Sequence, residues 1–166
     1  MSTMYVNKVQ ELNVGSGVQI PGHVIQVIST TKNDNFSTTS GTFVDITGLS
    51  ATITPTSASN KILITVNFAI SSSNGAGLNT FNLVRGSTNI AQPSGSATFE
   101  GSFIGYLNQI DNILPMNFSF LDSPSSTSAT TYKIQMKTNS GTQYINRRVS
   151  TDCAFTSTLT LQEIAQ

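Results

Sequence analysis

The stretch "NKILITVNFAIS", Asn60 to Ser71, restricts the fold more than any other. Ile62, Ile64, Val66, Phe68 and Ile70 recur at every second position. An extended chain projects successive side chains to opposite faces, so this spacing puts a row of large apolar groups on one face of a strand. The other face, with Leu63, Thr65, Asn67 and Ala69, is only partly apolar. Such a strand must bury its apolar face against a second layer.

Similar segments fill the chain. "HVIQVIST" (His23 to Thr30) is β-branched and compact. "TFVDITGL" (Thr42 to Leu49) and "SATIT" (Ser50 to Thr54) read as two strands, stopped by Pro55. "LNTFNLVRGSTNIA" (Leu78 to Ala91) reads as a hairpin turning at Gly86-Ser87, a Gly-X pair suited to a tight turn. "ATFEGSFIGYL" (Ala97 to Leu107) reads as a strand, and "PMNFSFLD" (Pro115 to Asp122) alternates Met116, Phe118 and Phe120 on one face. "TTYKIQMKT" (Thr130 to Thr138) sets Tyr132, Ile134 and Met136 against Lys133, Gln135 and Lys137; "NSG" then turns the chain, and "TQYINRRV" (Thr142 to Val149) returns as a hairpin. "CAFTSTLTLQEIA" (Cys153 to Ala165) is the last strand. About ten short strands at a spacing of roughly 8–12 residues predict an all-β sandwich or barrel. Several, such as "FSFL", "CAF" and "HVIQVI", look apolar on both faces, which calls for a partner beyond one sandwich.

The first residues read differently. Tyr5, Val9 and Leu12 fit one helical face, while "MYVNKV" fits a strand equally well. "NVGSG" and "IPG" then punctuate the chain before His23. We divide the sequence into an N-terminal arm, residues 1–22, and a β domain, residues 23–166.

Charge narrows the function classes. Charged residues make up 10% of the chain, against about 25% in an average globular protein, and Ser, Thr, Asn and Gly take their place. Eight basic and eight acidic residues balance to zero, which argues against a nucleic-acid partner, since such binders normally carry a basic face. No run of 18 apolar residues offers a membrane-spanning helix, and the N-terminus lacks the basic start and apolar block of a secretory signal. Cys153 stands alone, so it forms no internal disulfide and reads as a small buried hydrophobe.

Reactive constellations are missing from the pattern. His23 is the single histidine and reads as a surface group. The eight carboxylates are scattered, with no metal-ligand spacing. "GSFIG" and "SSSNGAGLNT" lack the lysine and the following helix of a phosphate loop. Arg147-Arg148 reads as a solvated strand end. We expect no catalytic residues, cofactor or metal, hence no enzyme. A polysaccharide depolymerase would have to use acids such as Asp111 or Glu100, and carboxylates are few.

Four passages together resemble a family of bacteriophage virion proteins, found in phages of marine bacteria and cyanobacteria and described as tail fibre or receptor-binding proteins. They are "GHVIQVISTTKNDNFSTTSGTFVDITGLSATITPTSASNKILI", "LVRGSTNI", "FLDSPSSTSATTYKIQMKTNSGTQYINRR" and "STLTLQEIA". The resemblance runs from about Gly22 to Ala165. It implies a jelly roll of about ten antiparallel strands like the C1q and tumour-necrosis-factor heads, a homotrimer with one sheet around the three-fold axis, and a place on the virion surface after synthesis in the host cytoplasm. It carries no catalytic motif. Two roles follow as expectations, with a non-viral C1q-like lectin as a remainder. A tail appendage would contact the host surface, including its polysaccharide, through loops "SSSNGAG", "SGSAT" and "LNQIDN", with Ser73, Asn74, Gly75, Asn108, Gln109 and Asp111 as candidate contacts. Fibre proteins usually carry a long stalk, and only the short arm precedes this head. That favours the alternative, a capsid decoration protein whose arm (Tyr5, Val6, Val9, Leu12, Val14) clamps it to other virion proteins.

Overall fold

Strand β4 (Lys61–Ser72) is the spine of the molecule. A computed structural model describes residues 20–166; the arm candidates Tyr5, Val6, Val9, Leu12 and Val14 lie outside them. The remaining strands are β1 (Val24–Lys32), β2 (Phe36–Thr38), β3 (Val44–Ile53), β5 (Gly77–Arg85), β6 (Thr88–Ile90), β7 (Phe103–Leu107), β8 (Leu114–Asp122), β9 (Thr130–Thr138), β10 (Gln143–Ile145) and β11 (Ser157–Ile164). All pair antiparallel, and no helix occurs among the described residues.

Pairing around β4 sets the topology. On one side β8 runs its length, from Ile62↔Asp122 to Ile70↔Leu114. On the other side β11 covers Lys61 to Asn67 and β10 covers Ile70 to Ser72, so β10 and β11 share one position. Beyond them β1 pairs with β11 and β2 with β10, sharing the next position. The second sheet runs β3-β9-β5, and then β6 and β7 share the far edge of β5. Each sheet thus has four positions. Followed along the chain, the first position pairs with the eighth, the second with the seventh, the third with the sixth and the fourth with the fifth. A long hairpin wrapped over a sandwich in this way is a jelly roll.

The core lies between the sheets. The alternating row of β4 is fully buried, facing Leu159 and Leu161 of its own sheet and Phe81, Leu83, Tyr132, Ile134 and Met136 of the other. Towards the β7 and β8 edges, Phe81, Phe103 and Phe118 stack in series with centroids 5.0 and 4.6 Å apart, bridging the two sheets. Offset aromatic contacts at such distances add stabilisation beyond their buried area.

Four readings of the sequence are corrected. The two strands expected within Thr42 to Thr54 are one, β3 (Val44–Ile53), with a break in register between Asp45 and Ser50. Gly48, at φ +79°, takes the left-handed conformation that the bulge needs, and the stem of buried Lys32 packs over it. The expected hairpin of β9 with its successor does not form. Both edges of β9 are occupied by β3 and β5, so Asn139 to Thr142 crosses to the other sheet, where β10 pairs with β2 and β4. That strand is also cut short, because Asn146 sits at φ +64° with its side chain donating to the Lys32 carbonyl (2.9 Å) and accepting from the Ser157 hydroxyl (2.5 Å). Finally, Ala97 to Ser102 is not strand. It belongs to an excursion, Ala91 to Ser102, inserted between the collinear strands β6 and β7, whose ends face adjacent parts of β5 at Leu83↔Ile90 and Phe81↔Phe103. The turn at Gly86-Ser87 is as expected, with Arg85↔Thr88 paired and Gly86 at φ +60°.

At the N-terminal boundary Gly22 donates to the Ala165 carbonyl and Ala165 to the His23 carbonyl, both at 2.9 Å. Residues 20–22 are therefore fastened to the end of β11.

Candidate functional site

Two of the three expected contact loops meet at one end of the sandwich. Asp111 N donates to the Ser72 carbonyl (3.1 Å), and a Cβ on Gly75 would lie 3.4 Å from Ile110 N. The polar groups of this end are turned largely on one another. The Ser73 hydroxyl accepts from Thr142 N (2.9 Å), and the Asn74 amide donates to the Ser140 hydroxyl. The Asp111 carboxylate accepts from Arg148 Nη2 (2.8 Å) and Ser150 N (3.1 Å), while Arg148 Nη1 reaches Asp152 (3.1 Å). Removal from water pushes the Asp111 carboxyl up, but the Ser150 donors and the Arg148 charge outweigh this and hold it below the usual aspartate value. Ser73, Asn74, Gly75 and Asp111 are half-buried, while Asn108 and Gln109 are exposed, beside Ile110.

The arginine pair is not a solvated strand end. Arg148 holds the loop network, and Arg147 stacks on the Tyr144 ring (4.3 Å to the centroid) and donates to the Arg148 carbonyl (3.1 Å). Cys153 is half-buried rather than buried. His23 is exposed. No group of three or more His, Cys, Asp or Glu that could hold a metal ion occurs among the described residues.

Two buried carboxylates were missed by the sequence reading. Glu163 and Asp122 both continue apolar faces, after Leu159 and Leu161 in β11 and after Met116, Phe118 and Phe120 in β8. A lone acid at the inward phase of an apolar row was the available signal. Glu163 ties β11 to β1 and to the β3–β4 loop through Gln26, Thr56 and Asn60. Asp122 joins the two sheets, accepting from Tyr132 OH (2.7 Å) and Arg85 Nη1 (2.9 Å).

The two outer faces differ in chemistry. Registered rows on the β1-β11-β4-β8 sheet read Val27, Gln162, Leu63, Leu121; then Ser29, Thr160, Thr65, Ser119; then Thr31, Thr158, Asn67, Asn117. None of these three carries a charge, and the adjoining row, Ile164 with Lys61, brings one ammonium to the end of the face. Hydroxyls bond across the rows, as between Ser29 and Thr160 (3.0 Å) and between Thr65 and Ser119 (3.4 Å). The opposite sheet shows Asp45 paired with Lys133 (2.7 Å), and Lys137 over the Phe43 ring.

The third expected loop, "SGSAT", lies far along the chain in the excursion, on this second sheet. Ser102 closes the excursion's neck: its hydroxyl donates to the Ile90 carbonyl (2.9 Å) and accepts from Leu83 N (2.8 Å). A compact loop with tied ends on a rigid sheet is an Ω-loop, a common carrier of function. Two hollows flank its Phe99. One, of about 250 Å³, is lined by Gly41, Thr80, Thr98, Phe99, Lys137 and Asn139 among others. The other, of about 440 Å³, lies against Pro93, Ala97, Phe103 and Ile104.

Fold and surface together define a jelly-roll protein with one charge-poor sheet face, where Lys61 stands at one end opposite Ile164, and one looped, charged face. No family model and no curated protein matches the chain. Among solved structures it is similar to that of the infectious bursal disease virus Gx strain (TM-score 0.43, 18% identity, covering 85% of this chain and 38% of that one). It is also similar to infectious bursal virus-derived T=1 particles (TM-score 0.42, 9% identity, 96% of this chain and 41% of that one). A third is the infectious bursal disease virus VP2 subviral particle (TM-score 0.37, 15% identity, 96% and 42%). The chain spans about two fifths of the length of these chains. The jelly roll itself rests on the strand pairing.

Proposed function

We propose that this chain is a non-enzymatic structural protein of a bacteriophage virion and works as a trimer built on its charge-poor sheet. The carrying observation is that sheet's outer face, where the registered rows from Val27 to Asn117 hold no charged side chain. Depletion of charge marks the cores of interfaces. Val27 (52% exposed) and Leu121 (48%) stand at its two rims, and Ile104 and Tyr106 are exposed on the adjoining β7 edge. Strands β7 and β8 each pair on one side only, and open edges are normally covered. Packing the β7–β8 edge of one copy on the charge-poor face of the next would meet both needs and close a ring. The virion assignment is supported by the sequence resemblance.

A tail appendage is the first role, with exposed Asn108 and Gln109 at the loop end facing the host. The inward pairing of Ser73, Asn74 and Asp111 favours the second, capsid decoration, because it makes the end rigid and leaves few free polar groups. Mass spectrometry of purified particles tests both. A copy number matching the capsid lattice means decoration, one matching tail symmetry means an appendage, and absence from the particle refutes the virion role. The arm read from the sequence, residues 1–22, belongs to this proposal: its removal should release the protein from particles.

A further inference from the structure

We infer that the smaller hollow beneath the Ω-loop is a binding site for a single acidic sugar residue, a uronate or another pyranose bearing a carboxylate. The inference goes beyond the virion role and is read on the isolated protein.

Three features of the hollow point to this ligand class. Its wall is an aromatic ring: Phe99 is half-buried, shared with the neighbouring hollow, and offers an apolar plate to the C–H face of a pyranose. Its floor is uncharged and polar. Thr80, 1% exposed, lines the cavity together with Thr98 and Thr138. Asn139 spends its side-chain oxygen on Leu78 N (2.8 Å), which leaves its amide nitrogen to donate. Its one charge is a cation. Lys137 pairs in register with Thr80 and sits 4.7 Å from the Phe43 ring centroid, in no ion pair among the described residues. The nearby Asp45 is engaged by Lys133 and Gln135, both at 2.7 Å, and no carboxylate lines the hollow.

An uncompensated ammonium beside hydroxyl and amide donors accepts a carboxylate and rejects a cationic ligand. The volume, about 250 Å³, falls just below the roughly 300–1,000 Å³ of sites for drug-sized ligands, which suits one ring better than an oligosaccharide. Beside the site the loop is set close on β5: a Cβ on Gly101 would lie 2.5 Å from the Phe81 carbonyl, so only glycine lets the loop approach this closely.

Saturation-transfer NMR on the full chain, with methyl β-glucuronide and methyl β-glucoside as probes, tests the site. The glucuronide should bind about tenfold more tightly than the glucoside, the value of one charge-assisted hydrogen bond. Lys137→Gln should erase that preference, and Phe99→Ala should abolish transfer to both sugars. Lys133→Gln, which alters the same face outside the hollow, should change neither. Thermal melts establish that each variant is folded. No transfer to either sugar, or a preference that survives Lys137→Gln, would overturn the assignment and leave the proposed trimer untouched.

Discussion

Glu163 is a buried carboxylate held by donors rather than by a cation. Thr56 N (2.7 Å), Thr56 Oγ1 (2.8 Å) and Asn60 Nδ2 (2.7 Å) reach one oxygen, and Gln26 Nε2 (2.6 Å) reaches the other. Burial pushes this carboxyl up, but the donors from Asn60, Gln26 and Thr56 together outweigh burial and hold it below its ordinary value of 4.5. The folded value is depressed, so the stabilisation is fully present above 4.5 and is lost as pH falls through the lower folded value. Glu163→Gln should cost about 2–3 kcal/mol near neutral pH, because its new amide meets donors with donors. Urea midpoints of parent and variant should converge in acid; a gap that stays constant would refute the linkage. Gly101 gives a second residue-scale test. Gly101→Ala forces its Cβ against backbone and should cost about 1–3 kcal/mol. Gly95→Ala, in the same loop with nothing within 4 Å, should be close to neutral. Equal melting temperatures for the two would contradict the close approach.

At the scale of elements, the Asp122 clasp fastens β8 in one sheet to β5 and β9 in the other. Tyr132 is fully buried, and desolvation, with Asp122 as its acceptor, pushes its phenol far above the ordinary value, so it stays a donor at any working pH. Tyr132→Phe should cost about 1.5–3 kcal/mol by chemical denaturation, and a neutral result would mean the sheets are held by apolar packing alone. Elements also show where sequence reading succeeds. The row from Ile62 to Ile70 was legible because period two reports which face is buried. It does not report which strand lies alongside, and so the turn after β9 looked like a hairpin when the chain was changing sheets. "ATFEGSFIGYL" failed for a related reason. Its apolar residues line the hollows of a loop in its first half and a strand in its second, and the deciding contact, Gly101 against Phe81, joins distant positions. The loop end was half legible: glycine and asparagine marked the loops, but the Asp111–Arg148 pairing that closes them spans 37 residues.

At the scale of the whole molecule, the distribution of charge separates the two sheets. Acids and bases pair on the β3-β9-β5 face, at the loop end, in the sheet-bridging clasp and, at the end of β1, between Lys32 and Asp34. The three central rows on the outer face of the other sheet present hydroxyls, amides and aliphatic groups, with Lys61 at the end of the face. A surface of this kind is water-compatible in a free chain, and its central rows cost little to desolvate against a copy of itself, since no ion there must be stripped. Sedimentation equilibrium of the purified chain, compared with a Thr65→Lys variant that places a charge in the middle of that face, tests this most directly. The expected result is a stable trimer of 17.7 kDa chains that the variant converts to a folded monomer. A parent chain that stays monomeric at every concentration, or a trimer indifferent to Thr65→Lys, would contradict it.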